Sequence, residues 1–156
     1  MMSKRQRGPF RKQGIDKVSQ KSDTRGREKV SLTELRIYQE KPGDVPFLEF
    51  LAERKDTEKI DIRAALTLLR FKGHALRPPH NEHLGDQIYY LRINSEDGTY
   101  RVFYWPFGKG IVILGHGFSK KTGQCPPEQI ERARKLRRRF ESDPQTHTFI
   151  GDQDGD

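Results

Sequence analysis

The sequence predicts an α+β domain: a small antiparallel sheet of three to four strands, with an N-terminal helical hairpin and a C-terminal helix. Three observations predict it. Apolar residues recur at helical spacing around residues 46–72 and again over 130–140. They alternate in twos between residues 87 and 105. Segments rich in Gly, Pro and Asn separate these stretches.

The folded part is expected to begin near Leu32, where Leu35 and Ile37 alternate with polar neighbours as in a short strand. Asp44 can cap a helix whose first turn tolerates Pro46, and Phe47, Leu48, Phe50 and Leu51 give that helix a wide apolar side. A second helix, starting at Asp56 or Thr57, sets Ile62, Ala65, Leu66 and Leu69 on one face, and Gly73 can stop it. So short a connection predicts an antiparallel helical hairpin. Beyond Pro78-Pro79 the period becomes two: Tyr89, Leu91 and Ile93 share one face, Tyr90 and Arg92 the other. The turn Asn94–Gly98 leads to a strand over Tyr100–Trp105, and Phe107–Gly110 leads to the apolar run Ile111–Leu114, completing a three-stranded meander. Pro126-Pro127 opens a last helix with an apolar stripe of Ile130, Ala133, Leu136 or Arg137, and Phe140. Its outer face is basic, with Arg132, Arg134, Lys135, Arg137, Arg138 and Arg139. All helices are expected to lean on one face of the sheet.

Charge divides the chain. The protein carries a formal +8, with a sequence pI near 9.7, which suits a polyanionic partner such as nucleic acid. Residues 1–30 are rich in Lys and Arg and poor in apolar groups, so they read as a disordered basic arm. Residues 141–156 hold acids and no Lys or Arg, and read as a disordered acidic tail flanking a domain over 31–140. The lone Cys125 excludes an internal disulfide and a cysteine-rich zinc site. No apolar run has the length of a membrane span and no secretory signal is recognisable, so a cytoplasmic protein is expected.

The second half of the domain concentrates chemistry. Tyr90-Leu91-Arg92, Tyr100-Arg101-Val102-Phe103-Tyr104 and His116-Gly117-Phe118-Ser119-Lys120-Lys121-Thr122 each set a fixed cation beside aromatics in a segment of strand character. With Pro46-Phe47, Leu84-Gly85-Asp86, and Pro126 ahead of Glu128-Gln129-Ile130-Glu131-Arg132-Ala133, they make residues 35–140 resemble the RelE/ParE toxin superfamily. The branch they resemble most is that of the HigB-like, phage-derived host-inhibition toxins. The resemblance implies the toxin of a toxin–antitoxin pair. Such a toxin is a metal-independent endoribonuclease that cuts messenger RNA, often on the ribosome, and is silenced by a partner antitoxin, commonly a helix-turn-helix protein. The 2′-hydroxyl attacks the adjacent phosphate and the 5′-oxygen leaves, giving a 2′,3′-cyclic phosphate. No cofactor or metal is expected.

That chemistry needs such residues. Charge gathers on the non-bridging oxygens in the transition state, and preorganised Arg or Lys donors stabilise it there more than in the ground state. Proton transfer needs a base and an acid, and a lysine crowded by cations can serve as either. By the resemblance, Arg101 grips the phosphate, Arg92 binds phosphate or moves a proton, and Lys120 or Lys121 protonates the leaving oxygen. His116 and Tyr104 are weaker candidates for base handling and stacking. Tyr90, Tyr104 and Phe118 are the aromatics that could stack on bases, and Arg134 and Arg138 of the last helix could track RNA. That helix lacks the tyrosine some relatives carry, leaving a base role vacant.

Blander readings stand beside these. From strand position alone, Arg92 and Arg101 read as surface arginines pairing with Glu96 or Asp86. His116 reads as a satisfied strand-end histidine, and Trp105 and Phe107 as core or base-stacking alike. His80, Glu82 and His83 suggest a metal, but the helical zincin pattern is missing and nearby prolines indicate a loop. Two other functions remain in view, a ParE-like inhibitor of DNA gyrase and a non-catalytic RNA-binding module.

Overall fold

A computed structural model describes residues 31–120 and 124–151. Every described element belongs to the second of the chain's two units, Leu32–Asp156. The basic arm expected over residues 1–30 lies outside the described residues, as do Lys121 and residues 152–156.

The elements run β1 (Glu34–Ile37), α1 (Pro46–Ala52), α2 (Asp56–Lys72), β2 (Asn81–His83), β3 (Tyr89–Ser95), β4 (Gly98–Pro106), β5 (Ile111–Lys120) and α3 (Pro127–Ser142). The sheet has five strands in the order β1-β5-β4-β3-β2. It is mixed, because β1 runs parallel to β5 (Leu35 opposite Val112) while the other pairs are antiparallel. This corrects the expected three to four antiparallel strands. The helical excursion after β1 gives the chain room for a crossover, which a parallel pair requires. The fifth strand is β2, three residues in a segment expected to be a loop.

Local chemistry sets the helix ends. Pro46 occupies the first turn of α1, but its N-cap is Val45, while Asp44 closes a tight turn with Lys41. At the start of α2 the Glu58 carboxylate accepts the Lys55 amide at 2.9 Å. Gly73 ends α2 at φ +52°, and a Cβ there would meet Thr33 Oγ1 at 2.4 Å. Helices α1 and α2 do not pair chiefly with each other, as the hairpin expectation had it. Their apolar sides dock separately on the sheet, α1 on β5 and α2 on β3.

Two cores lie on opposite faces of the sheet, correcting the expectation that all helices lean on one. On the first face, Phe47, Phe50, Ile62 and Leu69 pack on Leu91, Ile93, Tyr100, Val102, Tyr104, Val112 and Leu114. On the second, Ala133, Leu136 and Phe140 of α3 pack on Tyr38, Ile88, Tyr90, Phe103, Trp105 and Ile113. Side chains alternate along each strand, so a sheet with two apolar faces requires helices on both.

A bulge governs β5. Val102 pairs with Gly117 and Tyr104 with Leu114, so Gly115 and His116 together oppose Phe103. The extra residue reverses the alternation. Val112 and Leu114 face α1 and α2, yet beyond the bulge Gly117 takes that side and meets the Phe50 ring, while His116 and Phe118 join the α3 side.

The expected acidic tail begins too early. Helix α3 continues to Ser142, and the following segment runs back beside the end of β1. Gln39 N donates to His147 O (2.9 Å), Phe149 N donates to Ile37 O (2.7 Å), and the His147 ring stacks on Tyr38 at 5.4 Å. These bonds satisfy backbone groups that β1 would otherwise leave open, and they order a polar segment that composition marks as tail.

Candidate functional site

The α3 face carries two cross-strand rows. Glu82, Tyr90 and Phe103 align across β2, β3 and β4, and Arg92, Arg101 and Phe118 align across β3, β4 and β5. Strand alternation alone brings both arginines to the same side of Tyr90, with Arg101 Cζ 5.2 Å and Arg92 Cζ 5.8 Å from its ring centroid. Beside them, Glu82, Leu84, Tyr90, Arg92, Lys120, Gln124, Cys125 and Ile130 line a hollow of about 370 Å³. The bulge in β5 is what aims Lys120 into it.

Glu82 stands inside this cation cluster. It accepts from the Tyr90 hydroxyl at 2.9 Å and pairs with Arg92 Nη2 at 2.5 Å. Burial and the Glu82 bond both raise the Tyr90 hydroxyl pKa above its ordinary value, against the opposing pull of Arg101. The Cys125 thiol is also raised by burial, and there Arg101 and Lys120 pull downward. Both cations therefore act electrostatically on the same wall of the hollow.

Arg101 is not the surface arginine of the bland reading, for only 4 % of it is exposed. Its Nη1 donates to Tyr100 O at 3.0 Å and its buried Nε has no partner. No described carboxylate pairs with it, so the charge sits beneath the hollow and Tyr90. Arg92 pairs with Glu82, not Glu96 or Asp86; Asp86 instead faces Arg134 at 3.5 Å.

Several expected members stand elsewhere. Tyr104 lies on the opposite face, stacked on Tyr89 at 5.3 Å and bonded to Asn81 Nδ2 at 2.9 Å. Burial pushes its hydroxyl up to about 12, and with Asn81 and Tyr89 it lines a separate, mostly apolar cavity of about 340 Å³. His116 is on the cation face but buried beneath α3, its Nε2 2.8 Å from Gln129 Oε1 and its ring stacked on Phe103. Burial lowers its pKa to about 4; Gln129 opposes the shift and Arg132 adds to it. It is a neutral core histidine that does not line the hollow. Phe118 packs on Phe103 at 5.7 Å, and Trp105 and Phe107 pack against Phe140; all are core.

Arg134 and Arg138 sit farther along α3, where with Arg137, Asp86, Gln87 and Glu141 they line a hollow of about 340 Å³. A third hollow of about 540 Å³ shares Leu84 and Ile130 with the cation site and Arg134 with the distal one. The three abut along one side of α3. The suspected metal trio does not converge, because Glu82 enters the cation hollow while His83 stacks on Tyr89 on the other face. Sequence reasoning weighed Glu82 only as a metal ligand beside His80 and His83, and missed its place among the cations. Its signal was the triplet Asn81-Glu82-His83 between two breakers, short enough to be an edge strand.

The model of the family described as Phage derived protein Gp49-like (DUF891) matches residues 49–138. The match runs from α1 almost through α3 and takes in Glu82, Arg92, Arg101 and Lys120. No curated protein matches the chain.

Proposed function

This chain belongs to the phage-derived Gp49-like family, and from that premise we propose that it is the toxin of a toxin–antitoxin pair, an endoribonuclease that cuts messenger RNA on the ribosome. The observation that carries the reading is the juxtaposition of Arg92, Arg101 and Lys120 around one hollow, with a carboxylate, Glu82, inside it.

Each group has a role suited to its position. Arg92 and Lys120 line the hollow and take the scissile phosphate, while Arg101 adds positive potential from beneath. Glu82 takes the base role that the missing helix tyrosine leaves open: it accepts the 2′-hydroxyl proton as the 2′-oxygen bonds to phosphorus. The bond from phosphorus to the 5′-oxygen then breaks, and Lys120 supplies that oxygen's proton. The products are a 2′,3′-cyclic phosphate and a 5′-hydroxyl. Tyr90, 3 % exposed, is too buried to stack on a base; it holds Glu82 through its hydroxyl and packs under the two guanidinium groups. The adjoining hollows past Arg134 and Arg138 extend a path along which flanking phosphates can run.

The partners follow: messenger RNA, the ribosome and an antitoxin. The test is incubation of the purified protein with translating ribosomes. Message fragments ending in 2′,3′-cyclic phosphate are expected, lost with Glu82→Gln and Arg92→Ala. Intact message, or intact message with trapped DNA gyrase, would overturn the reading.

A further inference from the structure

Helix α2 buries one side against β3 and leaves two large apolar side chains on the opposite, otherwise mixed side. Ile60 and Phe71 are exposed to 61 % and 59 %, and it is their place on one helical stripe, rather than the exposure of either alone, that bears on a partner. They stand at i and i+11, with exposed Ala64 and Thr67 between them at i+4 and i+7, so all four fall on one helical stripe about 17 Å long. The patch does not end with the helix. Leu32, 45 % exposed, precedes Thr33, whose amide donates to the Arg70 carbonyl in the last turn of α2.

Along one border of the stripe helical geometry places Lys59, Arg63 and Arg70. None pairs with a carboxylate among the described residues, although acids are plentiful elsewhere on the surface. The opposite border is mixed, with half-buried Leu68, Asp61 and Lys72. The same border carries one acid, exposed Asp56, at its N-terminal end, so the rim is net positive by two, and a partly apolar strip beside it is the complement of an amphipathic helix with acidic flanks. Self-pairing fits poorly. In the antiparallel two-fold packing of two α2 helices, each rim meets its own copy, which sets Lys59, Arg63 and Arg70 against their equivalents.

We infer that the outer face of α2 is the docking surface for an acidic amphipathic helix of a partner protein, which lays about three turns of apolar side chains over Ile60, Ala64, Thr67 and Phe71. It deepens the partner named above, and for that partner's role alone it rests on the toxin reading. The surface lies on the face of the sheet opposite Glu82 and Arg92, so a helix seated there leaves the hollow uncovered.

The test uses the full chain and a labelled peptide of about 18 residues, with Leu at i, i+4, i+7 and i+11 and Glu on both flanks. Saturable binding is expected by fluorescence anisotropy, weakened about tenfold or more by Ile60→Ser with Phe71→Ser. Arg63→Glu with Arg70→Glu should weaken it likewise and favour a Lys-flanked peptide instead. Both variants alter exposed positions and should keep the wild-type thermal midpoint. Absence of binding, binding indifferent to both pairs of substitutions, or a concentration-dependent dimer dissolved by Ile60→Ser with Phe71→Ser would each overturn the inference. RNA cleavage measured on the same variants separates the two proposals. Peptide binding that behaves as expected in a protein that cuts no RNA leaves the surface standing and removes the nuclease.

Discussion

Arg101→Met should stabilise the fold while abolishing RNA cleavage. Arg101 is 4 % exposed and has no carboxylate partner among the described residues, so burial of its charge carries a desolvation cost of several kcal/mol. Two contacts offset part of it. The Tyr90 ring at 5.2 Å contributes about 1 kcal/mol, and the charged hydrogen bond to Tyr100 O about 2 kcal/mol. The remainder leaves the charge unfavourable by about 1–2 kcal/mol, and Met preserves most of the packed stem without the ion. For a domain of this size that gain raises the thermal midpoint by about 3–8 °C. Thermal and urea unfolding followed by circular dichroism give the stability, and cleavage of ribosome-bound message gives the activity. A Met variant less stable than wild type by about 1 kcal/mol or more would refute the argument that Arg101 is held against its own solvation preference. An active Met variant would refute its place in the site.

Other perturbations test separate parts of the structure. Glu82→Gln should lower cleavage by about 10²-fold or more with a stability change within about 1 kcal/mol, since the Glu82–Arg92 pair is about one-third exposed or more on both sides; kinetics and unfolding on one preparation check both. Deleting Gly115 removes the bulge and turns Phe118 and Lys120 to the opposite face. Cleavage should vanish and the α3 core should loosen, seen as lost protection of α3 amides in hydrogen exchange. Gly117→Ala places a Cβ 2.5–2.8 Å from the Phe50 ring and should cost about 1–3 kcal/mol by displacing α1, read from urea unfolding. His116 has a folded pKa near 4 against an ordinary 6.5, so the unfolded chain binds the extra proton: its contribution is complete above pH 6.5 and is lost as pH falls towards 4, to about 3 kcal/mol. His116→Gln should flatten that slope in stability measured across the same pH window.

What the sequence makes legible follows from how local each signal is. Helices α2 and α3 declare themselves through apolar spacing, and Gly73 and Pro127 mark an end and a beginning within the chain's own vicinity. The shared face of Tyr90 and Arg92 is equally local, because strands alternate. The same rule separates Tyr104 from Arg101, three positions apart, so its misplacement was avoidable. Other features depend on distant partners. β1 is parallel only because β5 lies beside it, and β2 is a strand only because Tyr89–Leu91 supply its ladder. The face of Lys120 depends on a bulge whose only trace is Gly115, packed so closely under Trp105 that a Cβ would lie 2.8 Å from its ring. Glu82, weighed only as a metal ligand, was not set beside the arginines because flanking prolines suggested irregular chain. The burial of Arg101 depends on α3 covering the sheet, which no spacing within β4 reveals.

The segment that returns beside β1 has a bearing on how the protein is handled. A sheet exposes two outer borders to solvent; one here is the three-residue β2, too brief to template another chain, and the other is screened where Phe149 and His147 bond to Ile37 and Gln39. Shortening the chain after Ser142, a natural choice if the acidic terminus is thought dispensable, strips that screen and bares the Tyr38 ring. The shortened protein would be prone to stacking strand to strand with its own copies, and precipitation during purification would follow from the cut rather than from toxicity.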